Sequence, residues 1–283
     1  MILVADSGST KCDWMIATED HKIPKFSTMG FNPFFHSKEK IVSTLIESQE
    51  AVKYAALIQH LYFYGAGSSS PDRKAHIADA LAQFFPKARI EVDHDLIGAA
   101  FATCGDNPGI SCILGTGSNS CYFDGKEVYE AVPALGHRLG DEGSGSYFGR
   151  KILSKFLYKR LPSYLHEKLV EDYGLSKEVI FENVYQQPNE NVYLASFMKS
   201  LSDFKEETWV KELIFDGMTE FVDIHITCYE NHQDVPVHFI GSVAYYFQDI
   251  LEEVCQSFDI KIGQIIKQPI YNLVDYHFAK SVG

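Results

Sequence analysis

The chain has 283 residues, 46% of them hydrophobic and 22% charged, which suffices for one large domain or two modest ones and excludes a largely disordered chain. Its formal net charge of −13 argues against nucleic acid or an anionic membrane surface as the main partner, so an anionic ligand would have to be held by local backbone N–H groups and a metal ion. The opening Met1-Ile2-Leu3-Val4 has no signal-like character, no run of 18 apolar residues occurs, and the six cysteines never form CxxC, so the expectation is a cytoplasmic protein with reduced thiols, no membrane span and no zinc site.

Apolar runs alternate with helical periodicities along the chain, which reads as an α/β protein. Residues 2–5 read as a buried strand and 12–17 as a second, returning across Ser7-Gly8-Ser9-Thr10, with a third over 23–28. A helix over 38–48, a strand over 60–64, a helix over 72–85 and a short strand over 90–92 follow, and 95–103 has the small and apolar spacing of a packed helix. At Gly105-Asp106-Asn107-Pro108-Gly109 the turn residues are densest, and after it the pattern restarts. Residues 110–114 read as a strand, Gly115-Thr116-Gly117-Ser118 as a turn and 119–123 as a strand, turning at Asp124-Gly125 into 126–132. The order strand, Gly–Ser/Thr turn, strand, further strand thus occurs twice, which is an architectural repeat with little sequence similarity. Helical stretches fill 144–232 with a break near Gln186-Gln187-Pro188-Asn189, and Val237–Ile240 is a strand running into Gly241-Ser242 and an amphipathic helix. The end reads as a strand over 260–266 and a short helix from Pro269. Two domains are expected, 1–107 and 108–268, with the final helix, 269–283, left open to rejoin the first.

Two turns carry chemistry. In Asp6-Ser7-Gly8-Ser9-Thr10-Lys11, Gly8 and the small residues let the backbone approach a phosphate, successive N–H groups form an anion-binding concavity, and Lys11 adds charge. Asp6, at the end of the first strand, could hold Mg2+, through water. An ordinary β-hairpin turn accounts for the stretch as well, and a P-loop is excluded because the GxxxxGK[ST] spacing is missing and a strand follows. Leu114-Gly115-Thr116-Gly117-Ser118-Asn119 repeats the device, and two such units, one per domain, could clamp a nucleotide across a cleft.

These two turns, with Phe239-Ile240-Gly241-Ser242-Val243, resemble the phosphate-1, phosphate-2 and adenosine motifs of the sugar kinase, heat-shock ATPase and actin superfamily. Within it, Phe31-Asn32-Pro33, Asp95-Leu96-Ile97-Gly98-Ala99 and Gly136-His137-Arg138-Leu139-Gly140-Asp141-Glu142-Gly143-Ser144 resemble the N-acetylglucosamine kinase family, of the BadF/BcrA ATPase type. The resemblance implies two actin-like (ribonuclease H-like) domains, each a mixed sheet flanked by helices, with ATP in the cleft between them. It makes Thr10 and Thr116 ATP contacts and packs Gly241 near the adenosine; with Gly8, Ser9, Lys11, Gly115, Gly117 and Ser242 of the same motifs these are the expected ATP-binding residues, Asp6 being the candidate for Mg2+. It makes Asp95 the catalytic residue facing the acceptor hydroxyl, and places Asn32, Ser118, Asn119, Gly136 and Asp141 around a sugar. The chain departs from the family at Ala134-Leu135, where animal enzymes have Gly-Trp, and at its end, which lacks the glycine-rich segment of longer relatives.

Each residue also has a plainer use. Asp93 or Asp95 could cap the following helix, Asp141 and Glu142 could serve the dipole of the next one, and the aromatics 31–35 and 245–247 read as core and helix packing, with some of the first stretch open to shaping a sugar pocket. His94 receives no role, and that of Glu142 is left open. Gly143-Ser144-Gly145-Ser146-Tyr147-Phe148-Gly149 is not a dinucleotide motif, because its spacing is wrong for GxGxxG and no strand precedes it. The expected activity is ATP-dependent phosphorylation of a sugar hydroxyl, N-acetylglucosamine by analogy. The competing one is an ATPase that activates a redox partner, as in the activators of 2-hydroxyacyl-CoA dehydratases, which bridge an iron–sulfur cluster through cysteines; here Cys112 and Cys121 flank the second turn but sit in strand patterns and read as core. A homodimer is left open, and no nucleic-acid or membrane partner is expected.

Overall fold

In a computed structural model of the chain, residues 1–8, 10–17 and 25–282 are described, and the account below concerns these. Two compact units are formed, Met1–Asn107 with Gln268–Gly283 and Pro108–Lys267.

The first unit is built on a five-stranded mixed sheet. Strand β1 (Ile2–Ser7) lies between β2 (Lys11–Ala17), antiparallel to it, and β4 (His60–Gly65), parallel to it; β3 (Lys25–Met29) flanks β2 and β5 (Arg89–His94) flanks β4. Both faces of the central strands are covered, which is why β2 is buried from Cys12 through Ala17 rather than at alternate positions. Trp14 organises this core, with Phe26, Phe31, Phe63 and Phe85 at centroid distances of 5.8–6.3 Å and its indole N–H donating to Thr28 Oγ1 at 3.0 Å. Helices Lys38–Glu47, Pro71–Phe84, Asp95–Cys104 and Ile270–Val282 cover the sheet. Ser37 and Ser70 start two of them by accepting the backbone N–H three residues on. The final helix, Ile270–Val282, packs against β1 and β2. Its buried side includes His277, whose Nε2 lies 2.7 Å from the Tyr64 hydroxyl and whose ring stacks on Tyr62.

The second unit repeats the strand order. Strand β6 (Gly109–Leu114) lies between antiparallel β7 (Ser118–Phe123) and parallel β9 (Val237–Ile240), with β8 (Val128–Tyr129) beyond β7 and β10 (Ile262–Ile266) beyond β9. Of the strand expected over 126–132 only β8 forms, paired to β7 by two register positions. The helices expected within 144–232 are Gly145–Leu157, Ser163–Tyr173, Lys177–Tyr185, Glu190–Ser196, Met198–Asp203 and Thr208–His225. They build a core around Phe148, Phe197, Phe221 and Phe239. The glycines of the 143–149 stretch serve packing. At Gly149 a Cβ would fall 2.1 Å from Leu194 O, so only glycine lets helix Gly145–Leu157 approach Glu190–Ser196 this closely. No described helix is long and apolar enough to cross a membrane.

Candidate functional site

In the first unit, parallel pairing decides which residues meet. The register of β1, β4 and β5 sets Asp6 opposite Tyr64, and Tyr64 opposite Asp93, so the carboxyl ends of these strands bring the β1 turn level with the Asp93-His94-Asp95 corner. The β1–β2 turn closes with Gly8 N–H donating to Lys11 O at 3.0 Å, and Gly30 N–H donates to Thr10 O at 3.1 Å. Ser9 of this turn lies outside the described residues, as do residues 23 and 24 of the third expected strand. Lys11, expected beside a phosphate, extends along β2 to Asp13, 2.7 Å from its Oδ1, and Asp13 also receives Ser27 Oγ at 2.7 Å and Lys25 Nζ at 3.7 Å. The period-2 geometry of a strand places residues 11 and 13 on one face, so this pairing takes up part of the Lys11 charge.

Asp6 sits in a different field. Desolvation pushes its carboxyl up to about 7, with the negative charges of Asp95 and Asp13 adding to the effect and Lys25 and Lys11 offsetting part of it. A desolvated carboxyl with two like charges nearby is a group that a bound cation would stabilise, so the donor chemistry fits Mg2+ held by Asp6. Among the described residues no cluster of three or more His, Cys, Asp or Glu could enclose a metal alone, so such an ion would draw its other oxygens from water and from a phosphate.

Asp95 opens helix Asp95–Cys104. The N-cap position is taken by His94, which makes no side-chain capping bond, so the capping use of Asp95 is not what the chain adopts. Asp95 Oδ1 instead accepts from Leu96 N–H at 3.0 Å and lies 3.1 Å from His94 Nε2. Asp93 is ion-paired to Lys74, which leaves Asp95 as the carboxylate of this corner that faces Asp6. Sequence reasoning passed over His94; the Asp-His-Asp triplet at a strand end was the signal for it.

Asn32 is nearly buried and is set by the same turn. Ser7 Oγ accepts Phe31 N–H at 2.8 Å, anchoring residues 31–32 to the end of β1. The Asn32 Oδ1 accepts Phe34 N–H at 3.0 Å, so its NH2 is the natural donor toward a ligand. Gly67 packs against that Asn32 side chain. Phe31 is core, whereas Phe34 and Phe35 are exposed.

In the second unit, the turn after β6 closes with Gly115 N–H donating to Gly117 O at 3.0 Å. The start of helix Gly145–Leu157 braces it, Gly145 N–H donating to Gly115 O at 2.8 Å and Ser146 N–H to Thr116 O at 3.0 Å. Gly241, after β9, has φ +123°, and a Cβ there would lie 2.3 Å from Leu114 O, so glycine alone lets the β9 end press on this turn. Ser242 begins the short helix Ser242–Tyr246. Tyr245 and Tyr246, expected to pack, are about half exposed, and of the three aromatics only Phe247 is buried.

Asp141 is buried with φ +58°, a conformation that costs a non-glycine residue of order 1–3 kcal/mol and persists only where surroundings impose it. Its carboxylate accepts Ser118 N–H at 3.4 Å and Ser146 Oγ at 3.2 Å and lies against Gly117. Desolvation raises its pKa, and these two hydrogen bonds, with His137 and Arg150, counter the rise. Ser118 Oγ is buried with no hydrogen-bond partner among the described residues, which is a cost of about 1–3 kcal/mol unless something completes it. Asn119 Oδ1 accepts Ser120 N–H at 2.9 Å. Gly136, at φ +71°, opens the short helix Gly136–Leu139, whose His137 and Arg138 both pair with Glu190. Asp141, Ser118 and Gly117 are therefore brought together, and Gly136 stands at the start of the same loop. Glu142, whose role is open from sequence alone, is bonded to His225 at 3.0 Å.

No protein-family model matches the chain, and no curated protein does. Solved structures do. A crystal structure from Porphyromonas gingivalis, named as a candidate N-acetylglucosamine kinase, is 39% identical, covers 99% of this chain and 100% of its own, and has a TM-score of 0.94. One from Chromobacterium violaceum, named in the same way, is 17% identical over 97% of this chain and 98% of its own, with a TM-score of 0.71. A ROK family glucokinase from Streptomyces griseus, in complex with glucose and AMPPNP, is 15% identical over 100% of this chain and 99% of its own, with a TM-score of 0.59. The last two speak for the fold, a pair of actin-like domains.

Proposed function

The chain belongs to the N-acetylglucosamine kinase family, and from that premise we propose that it passes the γ-phosphate of ATP to a hydroxyl of an amino sugar, N-acetylglucosamine or a close relative. The observation that carries the reading is the acid pair of the first unit. Asp6 and Asp95, far apart in sequence, are within each other's field at the carboxyl ends of parallel strands. Phosphoryl transfer runs through a loose transition state, so catalysis is mostly positioning and charge stabilisation, and it needs one group for the cation and another for the acceptor hydroxyl.

In this reading Asp95 accepts a hydrogen bond from the acceptor hydroxyl, orients its oxygen toward the γ-phosphorus and takes its proton late in the transfer. The new bond forms between that oxygen and phosphorus, the bond to the β–γ bridging oxygen breaks, and ADP leaves with the electron pair. Mg2+, when bound at Asp6, supplies charge neutralisation on the transferring group. His94 holds Asp95 in orientation. Gly8, Ser9, Thr10, Gly115, Thr116 and Gly117 offer backbone and hydroxyl donors to phosphate oxygens, Lys11 does so once released from Asp13, and Gly241 and Ser242 border the adenosine. Asn32, Ser118, Asn119, Gly136 and Asp141 are the residues for the sugar in this reading, Ser118 Oγ gaining a partner that it lacks among the described residues. A cytoplasmic location suits an enzyme using ATP and a free sugar.

The activator reading is not favoured. Cys112 and Cys121 are fully buried in β6 and β7, where Cys112 belongs to the apolar core and neither is offered as a cluster ligand. The deciding experiment is ADP release with ATP and Mg2+ across a panel of amino sugars and plain sugars. Sugar-dependent release, strongest with an N-acylated amino sugar, is expected; ATP hydrolysis indifferent to every sugar would overturn the proposal.

A further inference from the structure

From the geometry of helix Thr208–His225 we infer that its last residue, His225, is a positioning residue for the sugar site: it locks both ligand-bearing segments of the second unit, residues 118–120 and 140–143, from one point. The inference rests on the sugar-kinase reading for its functional consequence and on geometry alone for its structural one.

Two bonds meet at His225. Its backbone carbonyl accepts the Ser120 hydroxyl at 2.6 Å, and that hydroxyl is also 3.1 Å from the Tyr229 hydroxyl. This fixes β7 two residues beyond Ser118. Its side chain reaches the other way, Nε2 lying 3.0 Å from Glu142 Oε2. A carboxylate can only accept, so Nε2 carries the hydrogen and donates whether the ring is neutral or charged. His225 and Glu142 expose 4% and 13% of their side chains, so the bond is desolvated and its loss would leave a carboxylate stranded.

The segment held in this way needs holding. Asp141 at φ +58° and Gly143 at φ +69° flank Glu142, so the chain makes two left-handed steps within three residues. Arg150 fixes the near side by donating to Gly140 O at 2.7 Å and Arg138 O at 3.0 Å. The far side is fixed by helix Thr208–His225. Phe221 stacks on the His225 ring at 5.0 Å, and its Cβ lies 3.0 Å from where a Gly143 Cβ would be. Nothing within residues 140–143 supplies this restraint, so the position of the Asp141 carboxylate is set in part by a residue that touches no ligand. Displacing such a group by about 1 Å costs a site on the order of 10²-fold in rate.

The test uses the whole chain. His225→Leu keeps volume but removes the donor, and should raise the KM for the best sugar at least about tenfold while the KM for ATP stays within about twofold. His225→Gln, whose amide can still donate to Glu142, should recover most of the loss. Should His225→Leu fail to fold, Glu142→Gln probes the same bond from its other end and should raise the sugar KM selectively. Hydrogen exchange of the unliganded protein supplies a readout besides activity, with amides of residues 140–144 in His225→Leu exchanging at least about tenfold faster. A sugar KM unchanged in His225→Leu, an equal rise in both KM values, or unaltered exchange would overturn the assignment. If the wild-type protein phosphorylates no sugar, the kinase reading falls, and the exchange experiment still decides whether His225 fixes the 140–143 segment.

Discussion

The two units share a strand order and a Gly–Ser/Thr turn between their first two strands, yet the turns carry different chemistry. The β1–β2 turn is bordered by acids, with Asp6 on the strand leading in, Asp13 on the strand leading out, and Asp95 brought alongside by β5. No acidic residue lies on the β6–β7 turn itself; its acid, Asp141, arrives from a later loop and packs against Gly117. The backbone device is what the repeat retains, and in the proposed reading the reason is that phosphate needs N–H groups and close approach, which small residues supply at either place. Side chains are free to diverge on that frame. In the proposed reading the first unit supplies the groups for proton and cation, with Asn32 toward the sugar, and the second supplies the other fixed hydrogen bonds to a neutral polyol.

This division predicts distinct kinetic signatures. The largest loss is expected at Asp95. Asp95→Asn keeps size and some hydrogen bonding but cannot take the hydroxyl proton, so kcat should fall by about 10²–10⁴-fold with little change in ATP affinity. Steady-state rates with the best sugar check this, and near-wild-type turnover would remove Asp95 from catalysis. Next comes Asp6→Asn, for which turnover should fall more than ATP affinity, since a cation held there matters most as charge develops on the transferring group. Asp141→Ala should behave as a residue of the second unit, raising the sugar KM by about 10- to 100-fold, the cost of about 1–3 kcal/mol for partners left unsatisfied. If Asp141→Ala instead lowered kcat alone, as Asp95→Asn should, the contrast between the units would collapse.

How far the sequence carried this picture depended on the kind of signal. The strands around both turns were legible because central strands buried on both faces leave continuous apolar runs, as in Leu3-Val4-Ala5 and Cys112-Ile113-Leu114. Of the candidate residues, Asp6 is singled out by a turn whose small residues have a mechanical reason, whereas Asp95, Asp141 and Gly241 are singled out by the family resemblance. Pairings between distant polar residues were not. Nothing in the sequence near Glu142 points to His225, and Lys11 beside Asp13 reads as phosphate-binding charge until the strand register shows it occupied. Nor does the sequence show why a histidine stands on the buried side of the final helix, since its partner, the Tyr64 hydroxyl, lies 213 residues away along the chain.

That histidine also gives the smallest of the expected effects, and one confined to the first unit. His277 is buried between Tyr62 and Tyr64, and desolvation, aided by the Lys280 charge, lowers its pKa to about 4 from the usual 6.5. The unfolded chain therefore binds a proton at His277 that the folded chain does not accept between those two values. Stability linked to this group is full above pH 6.5 and is lost as pH falls toward 4, reaching a cost on the order of 1–3 kcal/mol. In His277→Gln the amide can still meet the Tyr64 hydroxyl, but no group titrates in that window. At neutral pH the variant should have a melting temperature at or slightly below that of the wild type, because the stack on Tyr62 is weakened. On acidification to pH 4.5 it should lose less than the wild type, so the two curves of melting temperature against pH converge. Parallel curves would show that His277 is not the group whose protonation loosens the C-terminal helix, and hydrogen exchange at the amides of Ile270–Val282 would then locate the acid-sensitive segment elsewhere in the chain.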